Sequence, residues 1–208
     1  GSSGYHALRT NAGRMTTWSH EFALNATLLD HADYSLDFGL NFTKVTNKVK
    51  ELAHGVESIM LGGFVEPQIR AQAGYTYPNI YGKAFKRTKD GSLLLRNGLP
   101  QATSASVNLG ECAPDFNMGF NLHAHYKNLS LSATMDWQKG GCMYNGTLLT
   151  MNFFGVTKAS LDYHEGTMIA EGIDEATGKK NTVKVSKQDY YQAYNDVTEA
   201  GIYDTSYL

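Results

Sequence analysis

Two long stretches of the chain alternate apolar and polar residues with a period of two, the spacing of a β-strand with one apolar and one polar face. The more informative stretch runs from Asp115 to Gln138 and divides at a short connection, residues 126–129, which predicts a β-hairpin. One face of this hairpin is apolar and consists of Phe116, Met118, Phe120, Leu122, Ala124, Tyr126, Leu129, Leu131, Ala133, Met135 and Trp137. The opposite face is polar, and it includes Asn121, His123, His125 and Asp136.

A second hairpin with the same pattern is predicted upstream, over residues 17–43. Its first strand, residues 17–29, has one face made of Trp18, Phe22, Leu24, Ala26 and Leu28, with His20 as the one polar residue on that side. A tight connection is predicted over residues 30–33. The following strand alternates strictly, because Tyr34, Leu36, Phe38, Leu40 and Phe42 are separated by small or polar residues.

One long connection, residues 44–114, separates the two hairpins, and a second, residues 139–201, follows them. Both connections contain many turn signals. In the first, Asp90-Gly91 between residues 80–87 and 92–96 predicts a small hairpin. In the second, a hairpin is predicted between residues 168–173 and 182–185, and Ser186 is placed to cap a short helix that continues to about Tyr194. Residues 1–14 are predicted to be a polar loop, and residues 202–208 the start of a strand.

Composition fits strands and turns and excludes some functions. The chain is 42% hydrophobic and only 18% charged, and its formal charge of −2 offers no electrostatic footprint for nucleic acid. No apolar stretch is long enough for a membrane-spanning helix. The chain has only two cysteines, Cys112 and Cys142, which is too few for a disulfide scaffold, and their separation is too large for a CxxC site. They could form a single disulfide or remain two unpaired thiols.

Alternation alone does not distinguish a soluble sheet from a membrane barrel, since both have one apolar face. Three features favour the barrel. The connections at one end of the hairpins are very short and those at the other end very long, as in outer-membrane barrels. Aromatic residues of the apolar face lie near both strand ends, about one bilayer apart. No charged residue interrupts the apolar face between them.

Several motifs, taken in order along nearly all of the chain, resemble the C-terminal half of SusC/RagA-type TonB-dependent outer-membrane transporters of Bacteroidota. The motifs are NAGRM from Asn11, LNFTKVTNKVKEL from Leu40, GGFVEPQIRAQAG from Gly62, IYGKAFKR from Ile80, NGLPQ from Asn97, PDFNMGF from Pro114, YKNLSLSATMDWQKGG from Tyr126, YNGT from Tyr144 and IYDTSYL from Ile202.

This resemblance implies an all-β fold, in which residues 1–208 form part of an antiparallel transmembrane β-barrel of about 22 strands. The hairpins would span the outer membrane, and the two connections would be extracellular loops with small hairpins and a short helix. The family's plug domain is absent from the sequence. The implied function is import of bulky nutrients, glycan or peptide fragments, with a SusD-like lipoprotein and with TonB acting through the plug. The apolar face would contact outer-membrane lipid.

The residues that carry candidate chemistry are few. His123 and His125 lie on one strand face about 7 Å apart and could bind Zn²⁺ only with a third ligand, so we predict no metal site. Asp136 could pair with Glu21 or Asp37 for acid–base chemistry, but these residues lie on different hairpins. No catalytic motif or cofactor fingerprint occurs, and the sequence therefore predicts a protein that is not an enzyme.

The candidates for cargo binding are Asn121, His123, His125 and Asp136 on the polar face, with Tyr81 and Tyr144 as aromatic platforms in the loops. The alternative hypothesis is a soluble β-sandwich carbohydrate-binding module, in which a second sheet buries the apolar face.

Overall fold

In the computed structural model, which describes residue 11 and residues 13–63 and 65–208, most of the chain forms β-strands. The strands are β1 Gly13–His31, β2 Tyr34–Leu52, β3 Ser58–Gly63, β4 Gln68–Gln72, β5 Asn79–Gly82, β6 Leu94–Arg96, β7 Leu99–Pro100, β8 Val107–Glu111, β9 Phe116–Tyr126, β10 Leu129–Lys139, β11 Cys142–Tyr144, β12 Thr167–Ile169, β13 Ile173–Asp174, β14 Lys184–Ser186 and β15 Ile202–Asp204. The helices are α1 Gly146–Phe153 and α2 Lys187–Asn195, with 3-10 helices at Lys158–Tyr163 and Thr198–Gly201. None of the helices described is long and apolar enough to cross a membrane.

The two predicted hairpins form one antiparallel sheet in the order β1-β2-β9-β10. The inner strands of the hairpins, β2 and β9, pair from Tyr34 opposite Tyr126 to Thr43 opposite Asn117. The two tight turns consequently lie side by side, and the Lys127 N–H donates a hydrogen bond to the Asp33 carbonyl at 2.7 Å. All long connections leave the sheet at its other end.

The first hairpin is longer than its sequence pattern predicts. β1 begins at Gly13 and β2 continues to Leu52, although the apolar–polar alternation stops near residue 43. The extra length is paired, since Trp18 lies opposite Thr46 and Gly13 opposite Leu52. Gly13 falls within the polar loop predicted for residues 1–14; residues 1–10 and 12 of that loop lie outside the described residues.

The turn of the first hairpin also differs from the prediction. It contains only Ala32 and Asp33, because β1 extends through residue 31. β1 accommodates its additional residue in a bulge at Leu28, so that Leu29 and not Leu28 lies opposite Leu36. This bulge inserts an unpaired residue and shifts the pairing register by one residue beyond it, and periodicity alone does not reveal it.

The apolar face of this sheet is open in the described structure. Aligned across the four strands are Phe22, Phe42, Met118 and Trp137 in one row, and Leu24, Leu40, Phe120 and Met135 in the next. Trp18 is 63% exposed and Leu131 62% exposed, so no other part of the described chain covers these side chains. A soluble sheet of this length would normally bury such a face.

Aromatic side chains mark both ends of this apolar face. At the end with the long connections, the ring of Phe116 lies 5.6 Å from that of Phe42 and packs edge-on against Trp137 at 5.0 Å. At the end with the tight turns, Tyr34 lies opposite Tyr126, and the His31 ring stacks on Tyr34 at 4.7 Å.

Residues 53–115 and 140–208, without the masked residue 64, form a second structural unit, which we call the loop body. Its largest sheet has the order β3-β4-β5-β8, and smaller ribbons pair β6 with β7 and β13, β11 with β15, and β12 with β14. Leu95 is fully buried and packs with Ala170 and Tyr190, so residues from both long connections share one apolar core.

Several predicted loop elements are confirmed. β12 and β14 form the predicted hairpin, with Met168 opposite Val185. The Ser186 side chain accepts a hydrogen bond from the Asp189 N–H at 3.0 Å and caps α2 as predicted. The Asp90-Gly91 turn is present, although only an isolated bridge between Arg87 and Leu93 flanks it.

Helix α1 was not predicted. Asn145 caps it by accepting a hydrogen bond from the Leu148 N–H at 3.0 Å, and this Asn before an apolar run is the sequence signal that identifies it. The predicted strand at residues 202–208 is split, since β15 pairs with β11 and Tyr207 then pairs with Gln138 at the edge of β10.

Glu175 connects the two long connections within the loop body. One carboxylate oxygen lies 3.2 Å from Lys86 Nζ, and the other accepts a hydrogen bond from Arg96 Nη2 at 2.8 Å. Hydrogen bonds from Lys86 and then Arg96 lower the pKa of the Glu175 carboxyl below its usual value. The ionised carboxylate is therefore the form that stabilises the contact.

A Glu175→Gln substitution should destabilise the loop body at neutral pH, and the difference from wild type should disappear in acid. A lowered pKa contributes stability above the unfolded-state pKa, and this contribution is lost as pH falls through the lower folded-state pKa. Pulse proteolysis in denaturant at several pH values measures the difference. Glu171→Gln is the control, because it removes an exposed carboxylate that forms no ion pair with the residues described. A pH-independent effect of Glu175→Gln would contradict the assignment.

Candidate functional site

The polar face of the four-stranded sheet brings together residues that lie on different predicted hairpins. Thr27, Asp37, His123 and Ser132 form one row across β1, β2, β9 and β10. Thr27 Oγ1 donates to Asp37 Oδ1 at 2.7 Å, and His123 Nδ1 lies 2.8 Å from Ser132 Oγ. The row thus presents a carboxylate and an imidazole that neighbouring hydroxyl groups hold in place.

The next row contains a gap. It consists of Asn25, Gly39, Asn121 and Thr134, and Thr134 Oγ1 donates to Asn121 Oδ1 at 3.1 Å. Gly39 has no side chain, and a Cβ at this position would lie 3.1 Å from Asn25 Oδ1. The two rows therefore surround an open depression of about 380 Å³, which we call the polar depression.

The other two polar-face candidates flank the polar depression. His125 lies in the row of Ser35 and Ser130, and Asp136 in the row of Asn41 and Gly119. Asn121, His123, His125 and Asp136 therefore share one surface, as the alternation of the sequence predicts. Amide, hydroxyl, imidazole and carboxylate groups on such a surface can hydrogen-bond to peptide groups or to sugar hydroxyls.

The two aromatic candidates lie elsewhere, in the loop body. The Tyr81 hydroxyl donates to Gln72 at 2.7 Å, and the Arg70 guanidinium lies 5.5 Å from the centre of its ring, so one ring face is covered. Tyr144 is half-buried, and burial raises the pKa of its hydroxyl above the usual value. It lines a separate cavity of about 350 Å³ together with Glu66 and Phe154.

The structure does not bring the considered acid–base pairs together. Asp37 lies two polar-face rows from Asp136 with β9 between their strands, and Glu21 lies on the opposite edge strand from Asp136. Within the residues described, no three His, Cys, Asp or Glu side chains are grouped so that they could hold a metal ion. The geometry supports hydrogen bonding to a passing or bound molecule.

Four further residues lie on the polar face and are not among the candidates named from the sequence: Asn25, Thr27, Ser132 and Thr134. They line the polar depression because β2 pairs with β9, and this pairing of non-consecutive strands has no local sequence signal. Gly39 could be recognised as unusual only after its neighbours across the sheet were known.

Comparisons with known proteins agree with this architecture. No family model matches the chain. TonB-dependent receptor P3 of Formosa agariphila is 26% identical over an alignment of 174 residues, and the match covers 72% of this chain and 17% of that protein. The RagAB peptide transporter superposes with a TM-score of 0.54 at 19% identity, over 74% of this chain and 18% of the solved one.

A second solved structure, the RagAB peptide importer in its open-open state, gives a TM-score of 0.53 at 21% identity, over 69% of this chain and 16% of that chain. The chain is similar to a segment of a SusC/RagA-type TonB-dependent receptor. The predicted resemblance and the predicted outer-membrane localisation are thus confirmed. The segment spans 17% of the length of its curated relative.

Proposed function

We propose that this receptor segment is part of the wall of a barrel of about 22 strands that imports bulky nutrients across the outer membrane. Its spanning hairpins are residues 17–43 and 115–138, and residues 44–114 and 139–201 are extracellular. The observation that carries the proposal is the exposed apolar face bordered by aromatic residues at both ends. Lipid covers such a face in a membrane barrel, while the polar face lines the interior.

The proposed cargo is a peptide or glycan fragment. Both classes present many donors and acceptors, which suit the hydroxyl and amide groups around the polar depression. The likeness to a structure described as a peptide transporter supports the peptide class. The receptor acts by selective passage and not by bond chemistry, since the carboxylates considered for catalysis lie on separate rows.

The proposed partners follow from the resemblance. A SusD-like surface lipoprotein would contact the loop body, and TonB would act through the plug domain of the whole receptor. The alternative, a soluble β-sandwich module, has less support because a sandwich buries the face that is exposed here.

Uptake by cells that carry the whole receptor tests the proposal. We expect labelled peptides or oligosaccharides to enter only when the receptor is present, and uptake to stop when a protonophore removes the energy supply. Asn121→Trp, which fills the polar depression, should reduce uptake several-fold. Leu122→Trp, one residue along the same strand on the apolar face, is the matched control and should leave uptake unchanged.

If cells without the receptor take up the peptides and the oligosaccharides as well as cells that carry it, the transport proposal is wrong. Equal effects of Asn121→Trp and Leu122→Trp would instead contradict the assignment of the two sheet faces. Purification of the receptor from native membranes in mild detergent tests the partner, because a SusD-like lipoprotein should co-purify with it.

A further inference from the structure

Cys112 and Cys142 lie at the places where the two long connections meet the four-stranded sheet. Cys112 lies between β8 and β9, and Cys142 begins β11 just after β10 ends. The β9–β10 hairpin therefore lies between the two cysteines, and both thiols are half-buried at its open end.

The backbone segments that carry these cysteines run side by side. Beyond the last pair of the β9–β10 ladder, Phe116 opposite Lys139, the Asp115 N–H still donates to the Lys139 carbonyl at 2.7 Å. Further along, a Cβ built on Gly141 would lie 3.0 Å from the Cys112 carbonyl oxygen. The residue before Cys142 thus contacts Cys112 itself.

The Cys142 thiol points towards the segment that contains Cys112. A Cβ on Gly110, two residues before Cys112, would lie only 2.6 Å from Cys142 Sγ. Paired antiparallel chains lie about 5 Å apart, and disulfides join Cα atoms about 4.4–6.8 Å apart. The spacing of the two segments therefore suits a disulfide across the open end of the hairpin.

We propose that Cys112 and Cys142 form a disulfide in the outer-membrane receptor and so link its two long connections where both leave the sheet. The oxidant is a protein disulfide of the periplasm, which is an oxidising compartment. One cysteine thiolate attacks this disulfide and forms a mixed disulfide with the oxidant. The second cysteine thiolate then attacks the sulfur of the first cysteine, and the oxidant's sulfur leaves as a thiolate. Cys112 and Cys142 lose two electrons and two protons in total, and the oxidant leaves as a dithiol.

The environment of the thiols determines when the bond forms and how long it lasts. Burial, followed by the neighbouring Cys112, Glu111 and Asp204, raises the pKa of Cys142 to about 11, and burial also raises the pKa of Cys112. Few thiolates exist in the folded loop body, so oxidation is fastest before the segments pack. A leaving thiol with a raised pKa departs slowly, and reduction of the finished bond should be slow.

Peptide mapping of the whole receptor tests this proposal. The receptor is taken from outer membranes without reductant, denatured in N-ethylmaleimide, digested and analysed by mass spectrometry. We expect the peptides that contain Cys112 and Cys142 to be joined, and to become alkylated only after reduction. Maleimide on both cysteines without reduction, or a bond from either one to a different partner, would overturn the proposal.

A receptor with Cys112→Ser supplies the control, because its Cys142 should be alkylated without reduction. Hydrogen exchange provides a second readout: reduction of the wild type should speed exchange in residues 107–115 and 140–144, and reductant should not change exchange in the variant. The disulfide proposal depends on the proposed outer-membrane location and not on the identity of the cargo. A negative uptake experiment would therefore not contradict it.

Discussion

Replacing Leu131 by arginine should greatly reduce insertion of the receptor into a bilayer, whereas Ser132→Arg should have little effect. Leu131 is 62% exposed on the apolar face of β10, and Ser132, the next residue, lies on the polar face beside His123. A lipid-facing arginine costs about 2–4 kcal/mol at the bilayer midplane and about 0–1 kcal/mol at the interfaces, and Leu131, two residues from the tight-turn end of β10, should show a cost between these limits. A position on the interior wall is far more tolerant. The free energy of unfolding from lipid vesicles measures both effects.

The two variants share the strand, the introduced arginine and nearly the same depth, and the arginine points to opposite faces of the sheet. If both substitutions destabilise the receptor equally, the two faces of β10 are equivalent and the lipid assignment is wrong. If Ser132→Arg is the more damaging change, the polar face of β10 contacts lipid and the apolar face lines the interior, which is the reverse of the assignment. Leu131→Ala keeps the face apolar and should permit insertion.

Leu95→Ala should open the loop body and leave the four-stranded sheet intact. Leu95 is completely buried between Ala170 and Tyr190, and truncation of a buried leucine to alanine costs about 2–5 kcal/mol through lost burial and the cavity that remains. This cost is large for a unit whose other elements are short strands and helices of nine residues or fewer. Protease cleavage in the loop body should rise steeply, with the β1–β2 and β9–β10 hairpins still protected.

Leu161→Ala is the control for this prediction. Leu161 is 67% exposed in the 3-10 helix Lys158–Tyr163, so its truncation removes little buried surface. Equal proteolysis of the two variants would show that Leu95 does not hold a common core. Loss of protection in the sheet as well would show that the loop body and the sheet unfold as one unit.

The sheet was largely predictable from sequence because its information is local. Strict alternation in β2, β9 and β10 reveals which side chains share a face, and a one-residue error would place Phe42 or Leu131 among polar neighbours. The bulge at Leu28 has no such signature, since Leu28 itself continues the apolar alternation of Leu24 and Ala26. The pairing of β2 with β9 was also hidden, because 63 residues, numbers 53–115, separate the two strands.

The loop body was less predictable for the opposite reason. Its short strands acquire their partners from distant positions: Leu94 in β6 pairs in parallel with Ile173, and the Phe85 N–H donates to Glu199. A strand of two or three residues has no recognisable period. Local rules succeeded where a side chain bonds to its own segment, as Ser186 does at the start of α2.

The candidate site shows the same division. The alternation placed Asn121, His123, His125 and Asp136 on one surface, but the polar depression exists only because Gly39 on β2 lies beside Asn121 on β9. Tyr81 illustrates the limit for aromatic residues, since Arg70 approaches its ring from a different strand. The membrane context came from the loop asymmetry, from the aromatic residues at the strand ends and from the family resemblance, since alternation alone is shared with soluble sheets.

Nitroxide scanning of β10 in lipid bilayers tests the central claim most directly. Each residue from Leu129 to Met135 is replaced in turn by a spin-labelled cysteine in the whole receptor, and collisions with oxygen and with a water-soluble nickel chelate are measured. Oxygen, which concentrates in lipid, should reach positions 129, 131, 133 and 135 preferentially, and the chelate should be excluded from them. Oxygen access without this period of two, or chelate access at the apolar positions, would contradict a lipid-facing sheet.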